Sequence, residues 1–150
     1  MRPVPRLLRG LALASLAAVW AWPVAPPHPV VRPYLAPATP YAAGHRGIDI
    51  ATPDGATLYA PDDGVVHFAG WVVDRAVLSI DHGDGVLSSY EPVTTTLAAG
   101  DVVRRGQAIG LVESGHCVAP CLHLGVRVDG AYVSPLLYLG GQPRAVLLPL

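Results

Sequence analysis

The sequence predicts an all-β domain, and three observations carry this prediction. Turn signals rich in Gly, Pro and Asp recur at short intervals from residue 42 onward. Short runs rich in β-branched residues lie between these turns, and no segment after the first 25 residues shows a helix-length apolar period of 3.6. Short strands separated by such turns are typical of a β-sandwich or a β-barrel.

Six runs are predicted to be strands. They cover residues 57–60, 65–69, 76–81, 86–90, Ala108–Val112 and Cys121–Val128. The last is the clearest, because Leu122, Leu124 and Val126 alternate with polar or small residues that include His123. A period of two places the aliphatic side chains in a core and leaves His123 on the opposite face. Residues 131–133, after an Asp-Gly turn, are predicted to be the return strand of a hairpin.

Composition excludes several classes of function. The chain has 150 residues, 51% of them hydrophobic and 14% charged, which suits one domain with its own core. Its net charge of −1 provides no basic surface, so no nucleic-acid partner is expected. Residues 100–107 are similar to hairpins of lipoyl and biotinyl carrier domains. The chain contains no Lys, however, which excludes a carrier arm, a Schiff base and a P-loop.

The first 40 residues predict an export leader and a linker. Three arginines precede the segment 10–22, in which 11 of 13 residues are apolar. This pattern is typical of a secretory signal, and the apolar run is too short to cross a bilayer. Residues 23–40 contain seven prolines, which favours an extended spacer rather than a packed element. We therefore expect a leader over 1–25, a linker over 26–40, a domain over 41–140 and a tail over 141–150.

Two histidines and one aspartate are the candidate metal ligands. His45 and Asp49 lie four residues apart in the glycine-rich segment 44–49, where a turn would let both reach one divalent ion. His123 supplies a third donor from the polar face of its strand. Two imidazoles and one carboxylate leave a tetrahedral zinc ion one position for water, which is the arrangement of a catalytic site.

Six motifs between residues 44 and 136 occur in an order that resembles a known family. They read GHRGIDIATP (44–53), YAPDDGVV (59–66), DHGDG (81–85), GDVVRRGQAIG (100–110), CLHL (121–124) and SPL (134–136). The family is the lysostaphin-like zinc metallopeptidases, which are peptidoglycan endopeptidases. The resemblance implies a two-layer antiparallel β core with zinc in a groove over one sheet. It also implies that His45, Asp49 and His123 bind this zinc, and that the metal activates water to cleave a cross-link peptide.

Two positions depart from the family's pattern. Relatives carry His-x-His on the last long strand and Tyr-x-His in the middle of the domain, and both additional histidines assist catalysis. This chain has Cys121 and Pro92 at the corresponding positions. Proline has no titratable group and cannot move a proton. Glu91, beside the lost histidine, and His116, in the loop before the zinc strand, are the candidate substitutes.

Three interpretations follow from this loss. In the first, the chain is an active hydrolase with a substituted base. In the second, it is a zinc-holding relative that binds cell wall or a partner without cutting. In the third, it has a closed structural zinc site in which Cys121 is the fourth ligand. Cys117 and Cys121 are the only cysteines, and an exported chain favours a disulfide between them. Pro120 favours a turn that would bring them within reach. A cysteine nucleophile paired with His123 is disfavoured, because His123 fits the zinc better.

The leading hypothesis is an exported zinc metalloendopeptidase that hydrolyses peptide cross-links of peptidoglycan. The expected partner is a cell-wall peptide, with no nucleic acid and no stable membrane span beyond the leader. The expected location is secreted or associated with the cell wall. The alternative is the inactive zinc-binding relative.

Overall fold

The computed structural model describes residues 19–140. The basic start and most of the apolar run of the predicted leader lie outside the described residues, as does the predicted tail at 141–150. Over 19–140 the fold is all-β, as the sequence predicts, with a short 3₁₀ helix at Pro135–Leu137. Within the same range, no helix is both long enough and apolar enough to span a bilayer.

Eleven strands make up the described fold. They are β1 (Val30–Arg32), β2 (Ile48–Ala51), β3 (Thr57–Tyr59), β4 (Gly64–Val72), β5 (Arg75–Asp81), β6 (Val86–Glu91), β7 (Val93–Thr94), β8 (Val102–Val103), β9 (Ala108–Val112), β10 (Cys121–Val128) and β11 (Ala131–Val133). An eight-stranded sheet has the order β1-β2-β10-β6-β5-β4-β8, with β11 also paired to β10. A three-stranded sheet has the order β3-β9-β7, and the pairing in both sheets is antiparallel.

The core lies where the two sheets bury their aliphatic faces. Leu122, Leu124 and Val126 of β10 are fully buried, as their alternation predicts. The smaller sheet contributes Leu58 and Ile109 to the same apolar cluster. The predicted two-layer antiparallel architecture is therefore confirmed, and the opposite face of β10 is left for polar side chains.

The six predicted strands and the return strand are all present, with ends that differ by at most three residues. β4 extends furthest beyond its predicted range of 65–69, because its hairpin with β5 continues to the pair Val72–Arg75. Four strands escaped the prediction: β1, β2, β7 and β8. β7 and β8 have only two residues each, and the first three of the four residues of β2 are buried regardless of polarity. None of the four shows the alternation on which the prediction relied.

The proline-rich segment is more closely attached than its composition predicts. β1 lies within it and pairs with β2 at the edge of the larger sheet. The backbone of Leu35 and His45 forms a further bridge through two hydrogen bonds of 2.9 Å. The structure thus differs from the expectation of an unpacked spacer, because this edge of the sheet satisfies backbone groups that proline-rich chain leaves free.

The last residues of the predicted leader also contact the domain. Trp20 and Val24 are 5% and 2% exposed and belong to the core cluster. The Trp20 amide donates to the Tyr138 carbonyl at 2.8 Å, and the Tyr59 amide donates to Pro23 at 2.8 Å. Residues 19–24 therefore form a strap (the N-terminal strap below) that closes part of the core.

Candidate metal centre

The site begins with a row of three side chains across the larger sheet. In the strand register, His123 of β10 lies directly opposite Asp49 of β2 on one side and opposite Glu91 of β6 on the other. Directly paired residues on neighbouring strands point to the same face. Because Leu122 and Leu124 point into the core, Asp49, His123 and Glu91 all project from the opposite face.

His45 enters from the turn that precedes β2. Its Nδ1 lies 2.8 Å from the carbonyl oxygen of Pro33, and its Nε2 lies 3.1 Å from Asp49 Oδ1. The carbonyl can only accept, so Nδ1 carries the proton and Nε2 presents a lone pair to the site. This arrangement is typical of metal-ligating histidines, whose second nitrogen donates to an outer partner that fixes the ring.

Three imidazoles meet at one carboxylate oxygen. Asp49 Oδ1 lies 3.1 Å from His45 Nε2, 2.7 Å from His123 Nδ1 and 3.1 Å from His116 Nε2. One ligand atom from each of these four residues lies within 4.8 Å of the others. The Asp49 side chain is 2% exposed, whereas the side chains of His116 and His123 are 15% and 13% exposed. The group is therefore closed at its base and open towards one side.

Gly47 permits this convergence. A Cβ atom at this position would overlap the carbonyl oxygen of Leu124 and would lie 2.7 Å from His123 Nε2. No side chain fits there without moving the His123 ring. The glycine between His45 and Asp49 therefore brings the turn close enough to β10 for one oxygen to serve both histidines.

Burial lowers the pKa of His123, and its hydrogen bond to Asp49 opposes this shift only in part. The neutral imidazole is thereby favoured, which is the form that binds a metal. Glu91 stands outside the four-residue cluster. Its carboxylate lies 3.7 Å from the Arg75 guanidinium, and its side chain is 22% exposed.

A disulfide joins Cys117 to Cys121, with the two Cα atoms 5.8 Å apart. Cys121 is the first residue of β10 and is 1% exposed. Its sulfur is bonded to another sulfur and is not available as a thiolate ligand. The interpretation in which Cys121 closes the metal site is therefore not supported, whereas the predicted pairing is present.

A groove of about 520 Å³ runs over this face of the sheet and reaches His123. Ser79 and Ser89 lie directly opposite each other on β5 and β6 and line the groove together with Glu91. Arg127 and Tyr132 lie further along, with the guanidinium 5.6 Å from the ring centroid. Polar groups between apolar walls suit an extended peptide that needs both hydrogen bonds and packing.

The structure brings all three predicted ligands together. It also brings His116 to them, whereas Glu91 reaches only the neighbouring position on the sheet. The group that sequence reasoning missed is the Pro33 carbonyl, which orients His45. A backbone carbonyl carries no residue-type signal, and only the pairing of Leu35 with His45 places it there.

Similarity to known proteins identifies the family of the chain. The profile of peptidase family M23 matches residues 43–135, which include all four residues of the cluster. The chain belongs to peptidase family M23. The resemblance to the lysostaphin-like metallopeptidases is thereby confirmed.

Several curated proteins resemble this M23 chain. An uncharacterized protein of Mycobacterium tuberculosis is 40% identical over 129 residues, covering 81% of this chain and 52% of that protein. The DD-carboxypeptidase/endopeptidase Mpg of Neisseria gonorrhoeae is 38% identical over 95 residues, covering 61% of this chain and 22% of that protein. The murein hydrolase activator NlpD of Salmonella dublin is 35% identical over 99 residues, covering 64% and 26%. The M23 chain spans about half or less of the length of these relatives.

Solved structures share the M23 fold. A zinc-containing peptidase of Vibrio cholerae is 28% identical with a TM-score of 0.64, covering 79% of this chain and 39% of that chain. The catalytic domain of the antimicrobial peptidase lysostaphin from Staphylococcus simulans has a TM-score of 0.66 at 23% identity, covering 75% and 92%. At that identity the second likeness concerns the fold alone.

Proposed function

We propose that this chain is a zinc-dependent peptidase domain that hydrolyses peptide bonds of bacterial cell-wall peptidoglycan. His45, Asp49 and His123 are the proposed metal ligands, and Glu91 is the proposed proton acceptor. The observation that carries the proposal is the buried Asp49 oxygen in contact with imidazole nitrogens from separate segments. Membership of family M23 and similarity to a DD-carboxypeptidase/endopeptidase and a murein hydrolase activator support the same chemistry.

The donor set fits zinc. Nitrogen and oxygen donors from His and Asp are among the ligands that zinc prefers, and a buried carboxylate needs positive charge nearby. The Pro33 carbonyl supplies the outer partner that such a histidine ligand normally has. A bound zinc ion would supply a Lewis acid for the scissile carbonyl and lower the pKa of a coordinated water molecule to about 7.

Glu91 is the proposed group that takes a proton from water in the site. It lies beside His123 on the same face, it lines the groove, and its carboxylate is only partly exposed. Cys121 and Pro92 occupy the positions of the two auxiliary histidines of relatives, and neither can replace them, because Cys121 is in a disulfide and Pro92 has no titratable group. A positioned carboxylate is a competent general base.

The groove is the proposed seat of the peptide substrate. The hydroxyls of Ser79 and Ser89 offer hydrogen bonds to peptide groups, and Phe68 and Tyr132 offer apolar contact. We further propose that the domain acts outside the cytoplasm. The basic and apolar start of the sequence and the disulfide both favour an oxidising compartment.

Digestion of purified peptidoglycan by the zinc-loaded chain tests this proposal. We expect released peptides from the wild type, none from Asp49→Ala, and wild-type release from Asp54→Ala, whose carboxylate lies in an exposed turn. Equal release by Asp49→Ala would contradict the proposal. One tightly bound zinc per chain without any release would favour a binding relative, which the loss of both auxiliary histidines also supports.

A second variant tests the proton acceptor. Glu91→Gln keeps the shape of the side chain but cannot accept the proton, so the rate of peptide release should fall by about 10²–10⁴-fold. Zinc content should not change, because Glu91 lies outside the ligand cluster. Wild-type turnover by Glu91→Gln would remove Glu91 from the mechanism while leaving the ligands in place.

A further inference from the structure

The loop between β9 and β10 brings a fourth donor to the site. His116 Nε2 lies 3.1 Å from Asp49 Oδ1, which is the same distance that His45 Nε2 shows to that oxygen. In a tetrahedral zinc site with bonds of about 2.0–2.1 Å, neighbouring ligand atoms lie about 3.3 Å apart. The distance between His116 Nε2 and Asp49 Oδ1 is therefore the distance expected between two ligands of one zinc ion.

We propose that His116 is a fourth protein ligand of the metal, held in position by the Cys117–Cys121 disulfide. The resting site then has three imidazoles and one carboxylate. This proposal rests on the proposed function, since it concerns the same metal. It assigns to His116 a role different from that of the proton acceptor considered at the sequence level.

The disulfide connects the His116 loop to the strand that carries His123. Cys117 follows His116 directly, and Cys121 is buried two residues before His123. Both sulfurs also lie within 4.8 Å of an Asp49 oxygen. The bond thus closes a five-residue loop, residues 117–121, against the base of the site. Once it is reduced, His116 is attached only through loop residues that form no strand.

A fourth protein donor has a chemical consequence. Four protein ligands leave a tetrahedral zinc ion no position for water, which is the arrangement of a closed site. His45, Asp49 and His123 are held by a bridge and by strands, whereas His116 comes from an irregular loop. His116 is therefore the ligand that can leave. We expect formation of the disulfide from the two thiols to strengthen metal binding and to restrain hydrolysis, and its reduction to have the opposite effects.

Metal titration of the 150-residue chain tests the proposal. Zinc affinity is measured by competition with a chelator, and the visible absorption of bound Co²⁺ reports the number of ligands. The chains compared are the wild type, His116→Ala, Cys117→Ser/Cys121→Ser and the control His67→Ala, an exposed histidine of the groove outside the cluster. We expect His116→Ala to weaken zinc binding by more than about 10-fold, since loss of even an outer partner costs that much. The zinc affinity and Co²⁺ absorption of the control should match those of the wild type.

Reduction of the folded wild type, followed by methylation of both freed thiols so that neither can bind zinc, provides a second measurement that does not depend on the double serine variant folding. It should weaken zinc binding in the wild type and have little further effect in His116→Ala, because both changes act through the same imidazole. Zinc affinity and Co²⁺ absorption identical in the wild type and His116→Ala would overturn the proposal.

Peptide release separates this inference from the proposed function. Per bound zinc, His116→Ala should release peptides at least as fast as the wild type. If it loses activity while zinc affinity and Co²⁺ absorption stay unchanged, His116 moves protons, and the ligand proposal fails while the hydrolase stands. If the four-ligand absorption is found but no form cleaves peptidoglycan, the hydrolase fails and the ligand proposal stands. A wild type that binds no zinc overturns both.

Discussion

The Asp49 carboxylate is nearly sealed from solvent, yet one of its oxygens contacts three imidazole nitrogens. A buried charge is stable only where hydrogen bonds or opposite charge compensate it. An imidazole can offer a lone pair as well as an N–H group, so a cation shared by the three rings compensates the Asp49 charge more fully than hydrogen bonds alone. The residues that meet here come from three separate segments. The register of β2 and β10 brings Asp49 to His123, and the loop before β10 adds His116.

Gly47 provides a prediction at the scale of one residue. Gly47→Ala should weaken zinc binding by about 10-fold or more, because the added methyl group overlaps the Leu124 carbonyl and displaces the His123 ring. Gly70→Ala is the matched control, since its Cβ would meet only the far end of the Phe68 side chain, at 3.2 Å, and no backbone atom. Chelator competition checks both variants. Equal zinc affinity in Gly47→Ala and the wild type would contradict the close approach.

At the scale of elements, the N-terminal strap is the least expected part of the fold. Its residues come from a segment whose composition predicts a leader. Trp20 nevertheless packs between His82 and Tyr138, whose tilted rings have their centroids 4.6 Å from its own. The strap also accepts a hydrogen bond of 2.6 Å from Arg105 at the Val19 carbonyl. A chain that starts at residue 26 would lack this part of the core.

Removal of the Trp20 side chain tests the strap. Trp20→Ala should lower the free energy of unfolding by about 3 kcal/mol, the usual cost of emptying a buried aromatic site. Trp71→Ala should cost less than about 0.5 kcal/mol, because Trp71 is 71% exposed at the β4–β5 hairpin. Denaturant unfolding of both variants provides the comparison. Equal stability of the two would show that the strap does not pack as described.

Elements with a clear period were predictable, and those fixed by tertiary contact were not. β10 could be read from its alternation, which also placed His123 on the polar face. β1 lies in proline-rich chain and exists because β2 offers it an edge. The three ligands could be named from residue type and family resemblance. The short distance between His116 and Asp49 could not be predicted from the sequence, because the path of an irregular loop depends on what it packs against.

At the scale of the whole molecule, a chain of hydrogen bonds links the buried Tyr90 to the turn at Asp63 through His82, whose ring packs against Trp20 of the strap. Tyr90 donates to Ser88 Oγ at 2.7 Å, Ser88 Oγ lies 2.8 Å from His82 Nε2, and His82 Nδ1 lies 2.8 Å from the Asp63 carbonyl. The Asp63 carbonyl accepts from Nδ1–H, which leaves Nε2 to accept the Ser88 hydroxyl proton. Every group in this chain is satisfied while His82 is neutral.

This network predicts how stability depends on pH. Burial lowers the pKa of His82 below its ordinary value of 6.5, and the hydrogen bond to Asp63 opposes the shift only in part. Below pH 6.5 the unfolded chain therefore binds more protons at this residue than the folded chain does. The contribution of His82 to the free energy of unfolding is therefore fully present above that pH and is lost as the pH decreases.

The pH dependence is checked by thermal unfolding of the zinc-free chain between pH 7.5 and 5. We expect the melting temperature of the wild type to fall more steeply than that of His82→Gln, which cannot be protonated. His67→Gln should follow the wild type, because His67 is exposed. Parallel curves for the wild type and His82→Gln would show that His82 does not carry this dependence.

The central claim is that His45, Asp49 and His123 hold one metal ion. Anomalous X-ray diffraction at the zinc edge from crystals of the zinc-loaded chain measures this directly. We expect one anomalous-difference peak about 2.0–2.2 Å from His45 Nε2, Asp49 Oδ1 and His123 Nδ1. Zinc bound stoichiometrically at any other place, with no peak between these three side chains, would contradict it.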